Sequence, residues 1–352
     1  MASSKHRRKR SMNSHFTAIP VIDISGLSGN AGQKQTVVEN LGHAARTIGF
    51  MYITGHGMEP SLFANMLRET KTFFDLPIEE KMSLYIGKSS NHRGYVPQGE
   101  EVFSGGSKDL KEAFDLSLDL PSDDPDYIAG NPLIGPNQWP AIPQFREIIT
   151  DYYNAVFNVG RQLMSAFAVA LGLSADAFEA SLTKPPSQLR LIHYPYDPTA
   201  HDVAGIGAHT DFECFTLLRA TAPGLEVMNG QGEWIDAPPI ENAFIVNIGD
   251  MLELLSGGEF IATSHRVRKV KEERYSFPLF FSLDYDVRVQ PLPGRENPAL
   301  PTQSLVAGEH LFAQTAQIFT YLKQRLADGT LVLPESSLAL SSFGQESRHP
   351  NS

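Results

Sequence analysis

The chain has 352 residues, of which 41% are hydrophobic and 20% are charged, a composition typical of globular proteins and unlike disordered or collagen-like chains. Its formal net charge is −11, and residues 1–15 hold five basic residues and no acidic one, so the remainder carries −16. Such an acidic body argues against nucleic acid as the main partner, because the phosphate backbone attracts basic surfaces.

The first segment, residues 1–16, is predicted to be a disordered basic tail, since blocks of like charge repel and seldom fold. The run from Lys5 to Arg10 also fits a nuclear-localisation patch, which is the alternative interpretation. The single cysteine, Cys214, excludes an intramolecular disulfide and indicates a reducing compartment, so we expect a cytoplasmic protein. No apolar run reaches the roughly 18 residues that a membrane span requires, so no membrane partner is expected.

Residues 17–140 are predicted to form a region of helices and short strands that packs on the rest of the chain. A helix is expected at 32–48, where apolar residues recur three and four apart, and another opens at Glu59-Pro60. Turn-forming residues are frequent from 86 to 143, so loops should dominate there. The predicted strands of this region are residues 19–24, 49–54, 93–97 and 112–118.

The second half of the chain has a different pattern. After the longest helical stretch, 142–171, short apolar runs alternate with turn signals, which is typical of an all-β barrel or sandwich. These runs are residues 188–194, 212–218, 225–228, 243–248, 265–270 and 274–283. A helical pattern returns at 307–326. We therefore expect an α+β chain, best treated as one domain, with a β core at 185–290 supported by these two helices.

Three residues of the β half have the types and spacing of a metal site. His209 and Asp211 are two residues apart, so on a strand both side chains would point to the same face. His265 lies 54 residues further on, at the start of another predicted strand. Two imidazoles and one carboxylate form the facial triad of non-haem Fe(II) oxygenases, which leaves positions open for other ligands. In a chain with 11 histidines the pattern alone is weak, and solvated histidines are the alternative.

Two further predicted strands carry residues suited to a carboxylate ligand. Arg274 and Ser276 share one face and supply a bidentate guanidinium and a hydroxyl donor. Tyr194 could complete such a clamp, although Arg274 also fits an edge-strand arginine paired with surface acids. Arg190 lies on the same face of its predicted strand as Tyr194. It is predicted either to meet an acidic group of a ligand or to form a structural ion pair. Phe280 shares the face of Arg274, and is predicted to line a substrate pocket or to pack in the core.

Taken in order, these motifs resemble the isopenicillin N synthase-like family of Fe(II)- and 2-oxoglutarate-dependent oxygenases. The N-terminal motifs are Ile19-Pro-Val-Ile-Asp-Ile24, Gly49-Phe-Met-Tyr-Ile-Thr-Gly-His-Gly57, Phe73-Phe-Asp-Leu-Pro77 and Gly94-Tyr95. The later motifs are Tyr194-Pro195, His209-Thr-Asp211, Val246-Asn-Ile-Gly-Asp250, Ser264-His-Arg-Val267 and Arg274-Tyr-Ser276. The resemblance implies a double-stranded β-helix (jelly-roll) core flanked by helices. Many plant members carry Asn two residues before the tyrosine of Tyr-Pro, where this chain has Ile192.

The resemblance also implies site residues and chemistry. His209, Asp211 and His265 would bind iron, and Arg274, Ser276 and Tyr194 would hold 2-oxoglutarate. The implied activity is oxidation, chiefly hydroxylation, of a C–H bond of a small molecule, using Fe(II), 2-oxoglutarate and O₂, with ascorbate as an optional reductant, and releasing succinate and CO₂. The alternatives are an oxidase or cyclase, an ethylene-forming member, and an inactive jelly-roll binding protein. A zinc hydrolase would need a general-base motif, and the sequence offers none.

Overall fold

The computed structural model describes residues 15–102, 111–196, 204–268, 271–298, 300, 304–334 and 337. The strands are β1 (Val21–Asp23), β2 (Phe50–Thr54), β3 (Gly94–Val96), β4 (Glu112–Leu116), β5 (Gln188–Tyr194), β6 (Ala204–His209), β7 (Phe215–Ala220), β8 (Leu225–Met228), β9 (Trp234–Asp236), β10 (Phe244–Ile248), β11 (His265–Arg268), β12 (Arg274–Phe281), β13 (Arg288–Val289) and β14 (Leu305–Val306). The α-helices are α1 (Ala31–Thr47), α2 (Pro60–Phe74), α3 (Ile78–Ser83), α4 (Pro125–Ile128), α5 (Phe145–Ala170), α6 (Asp250–Leu255), α7 (Ala307–Ala316) and α8 (Thr320–Ala327).

Two sheets form the core of the fold. The larger sheet has the strand order β1-β2-β10-β7-β12-β5-β4-β3, and the smaller has the order β6-β11-β8-β9. Their described ladders are antiparallel except for the β1–β2 pair. Two antiparallel sheets with helices around them make up a jelly-roll, so the predicted double-stranded β-helix core and the α+β class are confirmed.

The strands of the N-terminal region extend the larger sheet on both sides. β1 and β2 join it beside β10, while β3 and β4 join it beside β5. The predicted regions 17–140 and 185–290 therefore share backbone hydrogen bonds across one sheet. On this ground we propose that they act as one domain.

Helix α5 packs against the larger sheet at close range. A Cβ atom at Gly160 would lie only 2.4 Å from the ring of Phe281 on β12, so the absence of a side chain there permits the close approach. Phe157 stacks on the same ring with a centroid separation of 5.2 Å. The helix predicted at 142–171 is confirmed, with its start delayed because Gln144 has a left-handed backbone, with φ of 63°. Among the described residues, no helix is long and apolar enough to cross a bilayer.

The prediction of a single helix at 307–326 is wrong in one respect. Two helices, α7 and α8, occupy this stretch. The chain unwinds between them and pairs with residues distant in sequence. The amide of Val102 donates to the carbonyl of Ile318 at 3.1 Å, and the amide of Thr320 donates to the carbonyl of Glu100 at 2.9 Å. These bonds require the extended backbone that Phe319 adopts, with ψ of 129°. Helical periodicity in the sequence does not reveal such a break, because the partner lies more than 200 residues away.

The N-terminal boundary also differs from the prediction. Residues 1–14 of the predicted tail lie outside the described residues. Phe16, the last residue of that predicted segment, is buried and belongs to an apolar cluster with Phe50 and Leu225. Its carbonyl accepts a hydrogen bond from the Asn229 side chain at 3.2 Å. The packed part of the chain therefore begins before residue 17.

Candidate active site

The three predicted metal ligands come together at the edge where β6 and β11 pair. His265 lies directly opposite His209 in this antiparallel ladder, and Asp211 follows two residues after β6 ends. Asp211 Oδ1 is 3.6 Å from His209 Nε2 and 3.5 Å from His265 Nε2. One ligand atom from each residue lies within 4.8 Å of the others, a spacing at which the three could hold one ion. The register of β6 and β11 thus brings the two histidines together, and Asp211 completes the group that the sequence predicts.

The neighbours of the two imidazoles leave one nitrogen of each facing the centre of the group. His209 Nδ1 lies 2.9 Å from the carbonyl of Gly207, and His265 Nδ1 lies 3.3 Å from the carbonyl of Thr263. Because a carbonyl only accepts hydrogen bonds, each Nδ1 carries the proton. Each Nε2 then presents a lone pair, which is the form that binds a metal.

Two neighbouring side chains orient the carboxylate of Asp211. Its Oδ2 accepts hydrogen bonds from Asn247 Nδ2, at 2.6 Å, and from the hydroxyl of Thr216. Oδ1 is therefore directed toward the histidines. Sequence reasoning missed both orienting residues, although Asn247 lies within the quoted Val246–Asp250 motif. Two imidazoles and one well-oriented carboxylate fit Fe(II) with open positions for a chelating cosubstrate and oxygen.

The protonation states of His209 and Asp211 suit metal binding, whereas the pKa of His265, which burial alone would lower, is raised by the adjacent Asp211. Burial lowers the pKa of His209 to about 4, and the adjacent His265 adds to this shift. Burial by itself would raise the pKa of Asp211, but the nearby His265 and His209 bring it well below its usual range. Asp211 is therefore ionised and His209 neutral near pH 7, as metal ligation requires.

The predicted carboxylate clamp lies on adjacent strands of the larger sheet. Arg274 on β12 is directly opposite Tyr194 on β5, and its Cζ lies 4.9 Å from the centre of the tyrosine ring. Ser276, buried as well, lies on the same face of β12. The structure thus brings together the three residues of the predicted clamp.

The guanidinium of Arg274 is only 1% exposed and lacks an anionic partner among the described residues. Its Nε donates to the carbonyl of Ala222 at 3.1 Å, while Nη1 is buried without a hydrogen-bond partner in the described part of the chain. A buried, unpaired charge is costly, and a carboxylate is the group that a guanidinium binds most favourably. The residues present therefore fit the distal carboxylate of 2-oxoglutarate.

One cavity connects the metal-binding group with the clamp. It encloses about 950 Å³, including its open mouth. Alternate residues of two paired strands form one wall, namely Gln188, Arg190, Ile192 and Tyr194 of β5 and Arg274, Ser276, Pro278 and Phe280 of β12. The prediction that strand alternation places Phe280 on the face of Arg274 is therefore confirmed.

Arg190 lies in the cavity wall but is paired with acidic residues. Its Nε donates to Asp115 Oδ1 at 2.8 Å, and its Nη2 contacts Glu101. Lys111 also pairs with Glu101, so two cations and two anions form a buried network. The contacts favour the structural ion pair that the sequence left open. Arg190 Nη1 has no hydrogen-bond partner within the described ranges, so one donor is still available to a ligand.

The end of the cavity around Arg190, which we call the mouth end, is lined by segments far apart in sequence. Glu101 pairs with Phe319 through an isolated β-bridge, and Thr315, Ile318 and Phe319 join it in lining the cavity. We call residues 100–102 together with 315–319 the lid. No functional residue of the lid was predicted from the sequence, because the two parts of the lid meet only in the folded chain.

A second acidic side chain, Glu213, borders the cavity near Asp211 and was missed from the sequence. It is 8% exposed, and its Oε2 accepts a hydrogen bond from the amide of Phe212 at 3.1 Å. The described residues provide no cationic partner for it. Burial, together with the charge of Asp211, raises the pKa of Glu213 to about 8.

Other candidate side chains lie away from this cavity. His193 points to the opposite face of β5, where its Nδ1 is 2.9 Å from Glu112 and its ring stacks on Tyr275. Cys214 is a free, buried thiol, and burial raises its pKa above the usual range. Neither residue is among those that border the cavity.

Comparison with known families places the site in context. Residues 19–142 match the non-haem dioxygenase in morphine synthesis N-terminal family, and residues 185–283 match the 2OG-Fe(II) oxygenase superfamily. The second match contains every predicted site residue from Arg190 to Phe280.

Several characterised relatives resemble the chain over most of its length. It is 35% identical to the 2-oxoglutarate-Fe(II) type oxidoreductase hxnY of Emericella nidulans, covering 79% of this chain and 83% of the relative. It is 36% identical to homoarginine-6-hydroxylase 2-ODD-233 of Oryza sativa subsp. japonica, covering 85% and 97% of the two chains. The crystal structure of a full-length Neurospora crassa protein in complex with alpha-KG and thymine superposes with a TM-score of 0.73 at 26% identity, covering 91% and 100%.

Proposed function

Because the chain belongs to the 2OG-Fe(II) oxygenase superfamily and is an Fe(II)- and 2-oxoglutarate-dependent oxygenase, we propose that it hydroxylates a C–H bond of a small molecule in the cavity described above. The observation that carries the proposal is that one cavity contains both the metal-binding group and a buried guanidinium with no anionic partner among the described residues. Hydroxylation is favoured over ring closure or ethylene formation because several relatives are named homoarginine-6-hydroxylases.

We propose His209, Asp211 and His265 as the iron ligands. Bound Fe(II), with 2-oxoglutarate, would supply the oxygen activation that oxidises the substrate while 2-oxoglutarate becomes succinate and CO₂. Asn247 and Thr216 position Asp211 through its outer oxygen. The backbone carbonyls beside both Nδ1 atoms hold the rings in the ligating orientation.

The remaining polar residues of this half of the cavity would position the cosubstrate. Arg274 neutralises its distal carboxylate, and the hydroxyls of Ser276 and Tyr194 add hydrogen bonds to it. Apolar side chains surround the clamp, among them Leu218, Leu225 and Val267. Their exclusion of water strengthens the ionic contact.

The substrate is expected at the opposite end of β5 and β12. In this ladder Phe280 lies opposite Gln188, six residues from the Arg274–Tyr194 pair, so the clamp does not occupy that end. Phe280 would contact the substrate, and the free donor of Arg190 would meet an acceptor on it. One relative is named for homoarginine, and the crystal structure of another similar protein contains thymine. Small nitrogen-containing molecules are therefore the first candidate substrates.

Two broader expectations stay predictions. A cytoplasmic location rests on the single cysteine, which suits a reducing compartment. The absence of a nucleic-acid partner rests on the acidic charge of the body.

The test is oxygen-dependent conversion of labelled 2-oxoglutarate to succinate by the Fe(II)-loaded enzyme, screened for stimulation by amino acids, including homoarginine, and by nucleobases, including thymine. We expect His209→Ala to lower this turnover by more than about 100-fold and to reduce bound iron, because it removes a direct ligand. Turnover that survives His209→Ala unchanged would show that the ligand assignment is wrong. Ethylene in the headspace, or product without succinate, would instead support the alternative activities.

A further inference from the structure

Glu213 borders the cavity beside the metal-binding group and has no role in the chemistry proposed so far. We propose that Glu213 receives a cationic nitrogen, an ammonium or guanidinium group, of the primary substrate. The inference rests on the proposed function, because it assigns the substrate class of the same site.

Glu213 borders the cavity beside the end of β12 that the substrate would occupy, since the amide of the next residue donates to the carbonyl of Phe281 at 3.0 Å. It lies in the connection between β6 and β7, two residues after Asp211. Its hydrogen-bond donors are backbone amides, and no side-chain donor in the described part of the chain reaches its carboxylate. The side chain is nevertheless buried and borders the cavity. A buried carboxyl group in such a place has no charged partner among the described residues, and a cation of the substrate would provide one.

Among the described residues that border the cavity, Glu213 is the acidic side chain without a partner of opposite charge. Arg190, Lys111, Glu101 and Asp115 neutralise one another in the buried network. A divalent iron would be balanced by Asp211 and by the chelating carboxylate of the cosubstrate, and Arg274 by the distal carboxylate. Glu213 is then the remaining acid, and a substrate cation beside it would favour its ionised form, so that the two together would be neutral.

The surroundings of Glu213 suit an organic cation with an apolar body. Phe212, Phe280 and Phe319 line the same cavity, and aromatic rings attract cations through their faces as well as packing against alkyl groups. Glu213 is 8% exposed, and low exposure strengthens an ion pair with the substrate. A carbon next to the charged nitrogen would lie near the metal-binding group, because Glu213 is two residues from one of its members.

The experiment uses two pairs of probes that differ in charge and little in shape, n-butylguanidinium with n-butylurea and n-pentylammonium with n-pentanol. Binding to the anaerobic, Fe(II)- and 2-oxoglutarate-loaded enzyme is measured by calorimetry. In at least one pair we expect the cation to bind about 10-fold or more tightly than its neutral partner, since charged hydrogen bonds contribute about 1.5–3 kcal/mol. In Glu213→Gln this ratio should fall to near one, and in Glu213→Asp it should be largely kept.

A matched control is Glu39→Gln, which makes the same charge change at an exposed position on α1. It should keep the preference for the cation. The inference is overturned if the wild-type enzyme shows no preference in either pair, or if Glu213→Gln retains it. If Glu213→Gln does not fold, the inference is tested by two results: the preference of the wild-type enzyme for the cation, and the retention of that preference in Glu213→Asp. A wild-type enzyme that forms no succinate contradicts the proposed function, whereas one that forms succinate without preferring cations contradicts this inference alone.

Discussion

The two ends of the cavity share one pair of strands, yet their arginines have opposite surroundings. At the clamp end, Arg274 is buried with an unpaired nitrogen and no anionic partner among the described residues. At the mouth end, Arg190 is bound by Asp115 and Glu101, and Lys111 shares Glu101. A buried cation without an anion marks the place of an anionic ligand, whereas a cation already neutralised holds elements together. We therefore propose different functions for two arginines that have the same strand geometry, because different groups lie beside them.

The largest expected effect tests the clamp end. Replacing Arg274 by Met removes the only cation assigned to the cosubstrate, so the KM for 2-oxoglutarate should rise by about 100-fold or more, the effect of losing a desolvated charge pair. Steady-state succinate formation measures it. Arg274→Lys, which keeps the charge without the planar fork, should fall between wild type and Arg274→Met. An unchanged KM for 2-oxoglutarate in Arg274→Met would mean that Arg274 does not bind the cosubstrate, so the two ends of the cavity would not differ in the way proposed.

A smaller effect is expected at the mouth end. Phe319→Ala shortens a lid side chain that lines the cavity, so the KM of the primary substrate found by screening should rise about 3- to 10-fold, as for a lost aromatic contact. The KM for 2-oxoglutarate, measured in the same assay, serves as the internal control and should change less than the substrate KM. Equal changes in both constants would show that the lid does not belong to the substrate end alone.

A third prediction concerns the stability of the protein rather than its KM values, and it depends on the support of the lid and on pH. His92 is buried against Phe319, with ring centres 4.5 Å apart, and its Nδ1 is 2.6 Å from the hydroxyl of Tyr321. Burial lowers the pKa of His92 to about 3 from an ordinary 6.5. Between these values the unfolded chain binds a proton that the folded chain does not. The stability from His92 is therefore complete above pH 6.5 and declines as the pH falls toward 3.

Asparagine at position 92 tolerates the left-handed backbone there, with φ of 59°, and does not titrate. His92→Asn should make the acid-side decline of the unfolding free energy shallower, by up to about 1.4 kcal/mol per pH unit. Urea denaturation across this pH range measures the slope. If the unfolding free energy depends on pH equally in the wild-type protein and in His92→Asn, His92 is protonated in the folded protein as well.

Most of the clamp end could be predicted from the sequence, because it depends on strand alternation and register. Arg274 and Ser276 are two residues apart on β12, and this spacing by itself puts them on one face, whereas Asp211 lies beyond the end of β6 and alternation does not place it beside His209. The alternation of Arg190 with Tyr194 and of Phe280 with Arg274 follows the same rule and is confirmed by the cavity wall.

The mouth end could not be predicted, because it depends on contacts between distant segments. Glu101 and Phe319 are brought together by the break between α7 and α8, which helical periodicity conceals. The partners that decide the surroundings of Arg190 come from residues 101, 111 and 115, all from other parts of the chain. Glu213 lacks a regular strand on which alternation could be applied, so its approach to the cavity was not apparent.

The bond from Arg274 Nε to the carbonyl of Ala222 has a consequence for which substitutions the protein can tolerate. Every amino acid provides a backbone carbonyl, so the residue at position 222 can change its side chain without altering the group that orients the guanidinium. The turn after β7 is therefore free to vary in sequence as long as its backbone path is kept. Cosubstrate recognition can in this way persist while neighbouring surface residues diverge.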